Sequence, residues 1–258
     1  MILCGGLGTR LREETEYRPK PMVEVGGRPI LWHIMKGYAT HGFNEFVLCL
    51  GYKGATIKDY FLNYETFAND FTLTLGAKKK LKFHNAHTED GWKITFVETG
   101  AAAMTGARVL SALPHITSDN FALTYGDGLA DIDTKAELAF HKKHGRQATV
   151  AAVIPPSRFG EMAIDGLEQV NNFEEKPETT AGRINGGFFI LKRAGLEKYL
   201  QPADDNLIWE RQPLEKLAQA KQLKAFQHSG YWQPMDTYRE FELLNKLWAG
   251  GKAPWKTW

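Results

Sequence analysis

Apolar residues along the chain fall into two rhythms. Met1-Ile-Leu-Cys4, Glu45-Phe-Val-Leu-Cys-Leu50, Asn120-Phe-Ala-Leu-Thr-Tyr125 and Thr149-Val-Ala-Ala-Val-Ile154 are short runs, each followed at once by glycine or proline. Runs without strict alternation suit strands covered on both faces, as in a parallel sheet. Between them, Ile30, Leu31, Ile34, Met35 and Tyr38 recur at helical spacing behind Pro29, which suits a first helical turn. Residues 55–64 and 135–144 read as further helices, the last capped by Asp131 or Asp133. Strand following helix following strand predicts an α/β fold. The expectation is a Rossmann-like mixed, mainly parallel sheet flanked by helices, with ligands at the carboxyl ends of the strands.

Two stretches depart from that rhythm. Phe71-Thr-Leu-Thr-Leu75, Leu81-Lys-Phe-His84 and Ile94-Thr-Phe-Val97 alternate apolar and polar residues, as half-exposed antiparallel strands do. They predict an inserted antiparallel β subdomain over about residues 66–98, a natural surface for oligomer contacts. Residues 195–258 read as a helical, tryptophan-rich C-terminal region, with an amphipathic segment at 214–221 and a final helix at 237–247. The whole of 1–258 is expected to be a single domain.

Composition narrows the function classes. The 258 residues carry a net charge of +2 with acids and bases interspersed, which gives no reason to propose nucleic acid as a partner. Lys78-Lys79-Lys80 reads as a solvated turn. Cys4 and Cys49 lie in apolar runs, with no C-x-x-C or histidine cluster to suggest zinc. No apolar run reaches the ~20 residues needed to cross a bilayer, and nothing reads as a signal peptide. A cytoplasmic protein without a membrane partner is expected.

The chemistry concentrates at the N-terminus. Gly5, Gly6 and Gly8 follow the first strand, and successive N–H groups there form a concave anion site. Arg10 and Arg12 add positive charge, and Lys20 stands between Pro19 and Pro21, which hold its backbone in few conformations. This describes a polyphosphate site. It is not a P-loop, because no Lys-Ser or Lys-Thr follows at the required spacing, nor a dinucleotide fingerprint, because Leu11 stands where the third glycine belongs. Farther on, Asp127 lies between Gly126 and Gly128 at a strand end, placed to hold a hard cation or to serve as a turn aspartate. Its surroundings lack the order of an EF-hand loop. Asp236 reads as the N-cap of the final helix, and His33 as a structural histidine inside a helix.

Gly5-Gly6-Leu7-Gly8-Thr9-Arg10-Leu11 and Lys20-Pro21 closely resemble the G-G-x-G-T-R-L…K-P signature of the sugar-1-phosphate nucleotidylyltransferases. The resemblance continues in order through Met104-Thr-Gly106, Tyr125-Gly-Asp-Gly128, Glu175-Lys-Pro177, Asn185-Gly-Gly187 and Gln233-Pro-Met-Asp-Thr237. It implies transfer of a nucleotidyl group from a nucleoside triphosphate to a sugar 1-phosphate. It assigns the nucleotide to Leu3, Cys4, Gly5, Gly6, Leu7, Gly8, Thr9, Arg10, Lys20 and Gly126, and the base and ribose to Gly100, Ala102, Thr105, Gly106, Ala107 and Arg108. The sugar phosphate falls to Gly160, Glu175, Lys176, Asn185 and Gly186, and Mg²⁺ to Asp127 and Asp236. Arg10, Lys20, Asp127 and Lys176 are the implied catalytic residues.

Within the family, Ile30-Leu-Trp-His-Ile-Met35, Gly51-Tyr-Lys-Gly54 and Ala253-Pro-Trp-Lys-Thr-Trp258 look most like the branch that uses CTP and α-D-glucose 1-phosphate. That branch makes CDP-glucose for bacterial surface polysaccharide and forms homo-oligomers, with a hexamer described. Ala101-Ala-Ala103 stands where relatives are more polar, which leaves base contacts there to the backbone. A thymidylyl- or uridylyltransferase would keep every phosphate and metal residue. A non-catalytic nucleotide-sugar sensor is expected to lose Lys20 or an aspartate, and all three residues are present.

Overall fold

The computed structural model describes residues 1–6, 8, 11–76, 80–156, 161–164, 169–174 and 182–258. Its central sheet has seven strands: β1 (Ile2–Leu3), β2 (Glu45–Leu50), β3 (Lys93–Glu98), β4 (Asn120–Tyr125), β5 (Ala148–Val153), β6 (Ile184–Lys192) and β7 (Leu223–Gln227). They lie in the order β7-β5-β6-β4-β1-β2-β3. Among them only β6 runs against its neighbours, pairing antiparallel with β4 and β5, while the other pairings are parallel. This is the expected mixed, mainly parallel sheet.

Why the runs lack alternation is plain in β2. Phe46, Leu48 and Leu50 enter one core, while Val47 and Cys49 enter the other. Six longer helices flank the sheet: α1 (Ile30–Thr40), α2 (Gly54–Leu62), α3 (Thr105–Ala112), α4 (Thr134–His144), α5 (Gln212–Gln219) and α6 (Tyr238–Ala249). Apolar residues of α1, α2 and α6 build the first core, and those of α3 and α5 build the second. Asp133 caps α4, its Oδ1 accepting from the Ala136 N–H at 2.9 Å. The cap of α6 is Thr237, one residue after the expected Asp236, and Glu240 completes a capping box.

Two expectations change. Ile94–Val97 lies in β3, parallel to β2, so only Phe71–Thr74 and Lys80–Phe83 pair as an antiparallel hairpin. β3 is an edge strand that packs on both faces, Ile94 and Phe96 against the first core and Val97 in the second. The C-terminal region also contributes β7, the opposite edge strand, beside β5. Its Leu223 packs on the second core and its Phe226 on the first, three positions apart, so the segment carries no period-two signal.

His33 on α1 is structural, as expected. It is 1% exposed and ringed by Trp32, Trp248, Trp255 and Trp258. Its Nε2 lies 2.8 Å from the Val25 carbonyl oxygen, and its Nδ1 lies 3.4 Å from the Trp255 indole nitrogen. The carbonyl only accepts and the indole only donates, so the ring is neutral with its proton on Nε2. Burial lowers its pKa to about 4.

The unfolded chain therefore takes up the His33 proton near pH 6.5 and the folded chain only near pH 4, so stability is lost as pH falls through that window. The His33 share of that loss is about 3 kcal/mol. Denaturant titrations of His33→Gln between pH 6.5 and 4 are expected to show a fall shallower by that amount. Equal slopes in variant and wild type would mean that the ring is not held neutral.

Candidate active site

The carboxyl ends of β1, β2 and β4 meet at one edge of the sheet, where the chain turns through Cys4, Gly5 and Gly6. Beneath that turn lies the guanidinium of Arg108, on α3 and 4% exposed. It donates to the carbonyls of Gly5 (2.9 Å), Leu50 (3.0 Å), Gly100 (2.8 Å) and Ala101 (3.4 Å), and to the Thr99 hydroxyl (2.7 Å). A Cβ on Gly5 would overlap this guanidinium. Gly5 therefore makes room for an internal arginine, whereas the position a Cβ would take at Gly6 opens onto free space. Burial lowers the Arg108 pKa from its ordinary value. The side chain ties the glycine turn to β2 and to the small-residue loop at 100–103.

Lys20 begins a short 3-10 turn, Lys20–Met22, closed by the Met22 N–H on the Pro19 carbonyl at 2.8 Å. Pro21 packs so closely on Gly126 that a Cβ there would stand 2.9 Å from the proline ring and 2.9 Å from the Leu3 carbonyl. This fixes the lysine backbone against the ends of β1 and β4. Asp127 follows β4 after Gly126. Gly128–Ala130 then pairs antiparallel with Trp232–Pro234, in the register Gly128 to Pro234, and the Met235 N–H donates to the Asp127 carbonyl at 2.8 Å. That two-stranded ladder brings Asp236 beside Asp127. Between the carboxylates lies Lys20 Nζ, 2.6 Å from Asp127 Oδ2 and 2.6 Å from Asp236 Oδ1. Burial alone would lower the Lys20 pKa, but the two carboxylates outweigh it and hold the ammonium above its ordinary range.

These groups stand on the wall of a cleft of about 670 Å³. Of the residues anticipated from sequence, the wall includes Leu3, Cys4, Gly5, Gly6, Gly8, Lys20, Ala102, Thr105, Arg108, Gly126, Asp127, Asn185, Gly186 and Asp236. Gly100, Gly106 and Ala107 are off it. The N–H groups of Gly106 and Ala107 donate to the Leu207 carbonyl at 2.9 and 3.2 Å, and Gly106 packs against Leu207 itself. Leu7, Thr9, Arg10, Gly160, Glu175 and Lys176 lie outside the described residues.

A model of the nucleotidyl transferase family matches residues 1–242. The chain belongs to the nucleotidyl transferase family. It is 49% identical to the glucose-1-phosphate cytidylyltransferase of Salmonella typhi, over 100% of this chain and 98% of that protein. It is 30% identical to the mannose-1-phosphate guanyltransferase of Saccharomyces cerevisiae, over 93% of this chain and 62% of that protein. Among solved structures, HddC from Yersinia pseudotuberculosis superposes with a TM-score of 0.68 at 25% identity, over 96% of this chain and 97% of that one.

Wall residues of this nucleotidyl transferase that the sequence did not mark as site residues include Glu210, Tyr125 and Trp232. Glu210 accepts from the Thr105 hydroxyl at 2.6 Å, the Tyr125 ring lies over Gly187, and the Trp232 indole donates to the Gly186 carbonyl at 2.7 Å. Trp232 had a signal, since it stands next to the Gln-Pro-Met-Asp-Thr element. Glu210 had none, because only the fold folds its loop back onto α3. The Asp127 and Asp236 carboxylates form an all-oxygen donor pair converging on one point, which suits a hard divalent cation. Among the described residues no cluster of three or more His, Cys, Asp or Glu could hold a metal, so an ion there would draw its remaining ligands from substrate and water.

Arg108→Lys keeps the charge but loses the planar fork of donors. It is expected to destabilise the protein by about 2–3 kcal/mol, because buried carbonyls of the glycine turn lose their partner. Chemical denaturation measures this, and a variant within about 0.5 kcal/mol of wild type would contradict the anchoring role.

Proposed function

We propose that the protein transfers the CMP unit of CTP to α-D-glucose 1-phosphate, giving CDP-glucose and pyrophosphate. The observation that carries this reading is the convergence of Lys20, Asp127 and Asp236 at the foot of a cleft edged by the glycine turn. The choice of substrates is supported by the full-length likeness to a glucose-1-phosphate cytidylyltransferase. In this reaction a phosphate oxygen of the sugar phosphate attacks the α-phosphorus of CTP in line, and the bond to pyrophosphate breaks. That oxygen is already ionised at neutral pH, so no general base is needed. A catalytic histidine or serine is therefore not required.

Charge is the main obstacle, since two anions must meet. Asp127 and Asp236 would hold Mg²⁺, which when bound neutralises charge building on the α-phosphate. Lys20 and Arg10 stabilise the phosphates of the transition state and the departing pyrophosphate, and the N–H groups of the glycine turn assist. Lys176 holds the sugar phosphate for attack, a positioning effect, while Glu175, Gly160, Asn185 and Gly186 seat the sugar. The base lies by Ala101-Ala-Ala103, where it is read through backbone groups. The protein works in the cytoplasm as a homo-oligomer, a hexamer by family resemblance, with the exposed hairpin of Phe71–Thr74 and Lys80–Phe83 as a contact surface. Among the described residues no helix is long and apolar enough to cross a membrane.

The decisive assay is pyrophosphate release with glucose 1-phosphate and CTP, UTP, dTTP or ATP, with Mg²⁺ and with chelator. Release with CTP alone, abolished by chelator, is expected. Activity with UTP or dTTP instead would keep the reaction and overturn the base assignment. Silence with all four would overturn the reading. Lys20→Ala is expected to lower kcat about 10²–10³-fold, and a kcat within a few-fold of wild type would remove Lys20 from the catalytic groups.

A further inference from the structure

The loop before α5 covers the N-terminus of α3. The carbonyls of Asp205 and Leu207 accept from the N–H groups of Met104, Gly106 and Ala107 at 2.8, 2.9 and 3.2 Å. N–H groups that could have met an anion are spent on this loop. The Thr105 hydroxyl is committed as well, accepting from the Trp209 N–H at 2.9 Å and donating to Glu210 Oε2 at 2.6 Å. Thr105 therefore has no proton left for a ligand. What it holds at the cleft wall is the exposed Glu210 carboxylate. Nearby, the Tyr125 hydroxyl is buried and finds no partner of good hydrogen-bond geometry among the described residues. Its polar neighbours include Glu210 and Asn185. Asn185 Oδ1 accepts from the Gly187 N–H at 2.8 Å, which leaves its amide N–H groups to donate.

We propose that Glu210, Tyr125 and Asn185 bind ring hydroxyls of the sugar 1-phosphate, with Glu210 as the acceptor. The inference rests on the reaction proposed above, in which Asn185 and Gly186 seat the sugar. A carboxylate repels phosphate, so this part of the wall takes an uncharged portion of a substrate. An acceptor, a phenol and an amide donor close together match neighbouring hydroxyls, each of which both donates and accepts. An amino group on a base only donates, and would leave the amide unanswered. The Trp232 indole holds the Gly186 carbonyl at 2.7 Å, which steadies the segment that carries Asn185. Thr105 is the positioning residue for Glu210. Holding the ring through its hydroxyls aims the phosphate oxygen at the α-phosphorus.

The test is steady-state kinetics of wild type, Glu210→Ala and Glu210→Gln with glucose 1-phosphate and its 2-, 3-, 4- and 6-deoxy analogues. Glu210→Ala is expected to raise the KM for glucose 1-phosphate about 10–100-fold and to leave the KM for CTP within a few-fold of wild type. One deoxy analogue is expected to lose little further in the variant, because the hydroxyl it lacks is the one Glu210 takes. Thr105→Val is expected to raise the same KM less, and Thr105→Ser to restore it. An equal loss with glucose 1-phosphate and every deoxy analogue would mean a structural role and overturn the proposal. A raised KM for CTP alone, absent with 2′- or 3′-deoxy-CTP, would move Glu210 to the ribose and overturn the sugar assignment. Relaxed rejection of UTP would move it to the base, with the same consequence. Calorimetric titration with CDP-glucose answers without turnover. Weaker binding by Glu210→Gln is expected there, and unchanged affinity would overturn the proposal. Wild type that turns over glucose 1-phosphate, with kinetics unmoved by Glu210→Ala, would sink this inference and leave the reaction standing. Wild type that neither turns over nor binds glucose 1-phosphate would overturn both together.

Discussion

Two carboxylates share a small, partly buried volume only if a cation or a shared proton stands between them, and here the cation is Lys20. Asp127 and Asp236 are 33% and 20% exposed at their side chains, too little for water alone to separate their charges. The Gly128–Ala130 and Trp232–Pro234 ladder presses them together, and Lys20 makes the pairing tolerable. Gly126 is glycine because Pro21 and the Leu3 carbonyl crowd it, and that crowding holds the lysine at the right depth. The capping box of α6 also serves the same point. Glu240 accepts from the N–H groups of Asp236 and Thr237 at 2.7 and 2.9 Å, which fixes the backbone that presents the second carboxylate.

Arg108 performs the matching task on the other side of the cleft. Loops at the ends of parallel strands carry carbonyls with no ladder partner, and each must be satisfied if buried. One guanidinium under the turn serves the ends of β1 and β2 and the start of the small-residue loop at once. Arginine suits this because its planar donors are fixed relative to one another. The cleft thus has a charged foot set by Lys20 and an upper wall set by Arg108. The turn that joins them is anchored through its carbonyls, which leaves N–H groups to meet an anion.

Much of this was legible in the sequence because the chemistry travels in short stretches. Gly5-Gly6, Lys20 between prolines and Asp127 between glycines are local patterns with local physical meaning, and the fold gathers them at one sheet edge. The unalternating runs gave the mainly parallel sheet for the same reason. Contacts between distant segments were not legible. Gly5 and Arg108 each read as ligand-binding residues, and only the structure shows that they fit each other. Gly106 and Ala107 read as base contacts, yet their N–H groups answer to Leu207. Alternation misled in a similar way, since it does not report strand direction. Ile94–Val97 is as parallel as β2, but one side of it has no neighbour.

Base choice in such a cleft follows a different logic from phosphate handling. The phosphates meet charges held by rigid elements, and those charges act on any nucleoside triphosphate alike. The adjoining wall, Ala101-Ala-Ala-Met104, offers no side-chain donor or acceptor that could distinguish one pyrimidine from another. On the proposed reading the backbone there takes part in discrimination, and the Gly100 and Ala101 carbonyls of that segment are held by the same Arg108 that holds the glycine turn. A hydrogen-bonding site built from fixed backbone rejects a mismatched base because its own groups would be left unpaired. The rigidity of the anchor, more than the identity of the loop side chains, is what would make the cleft selective.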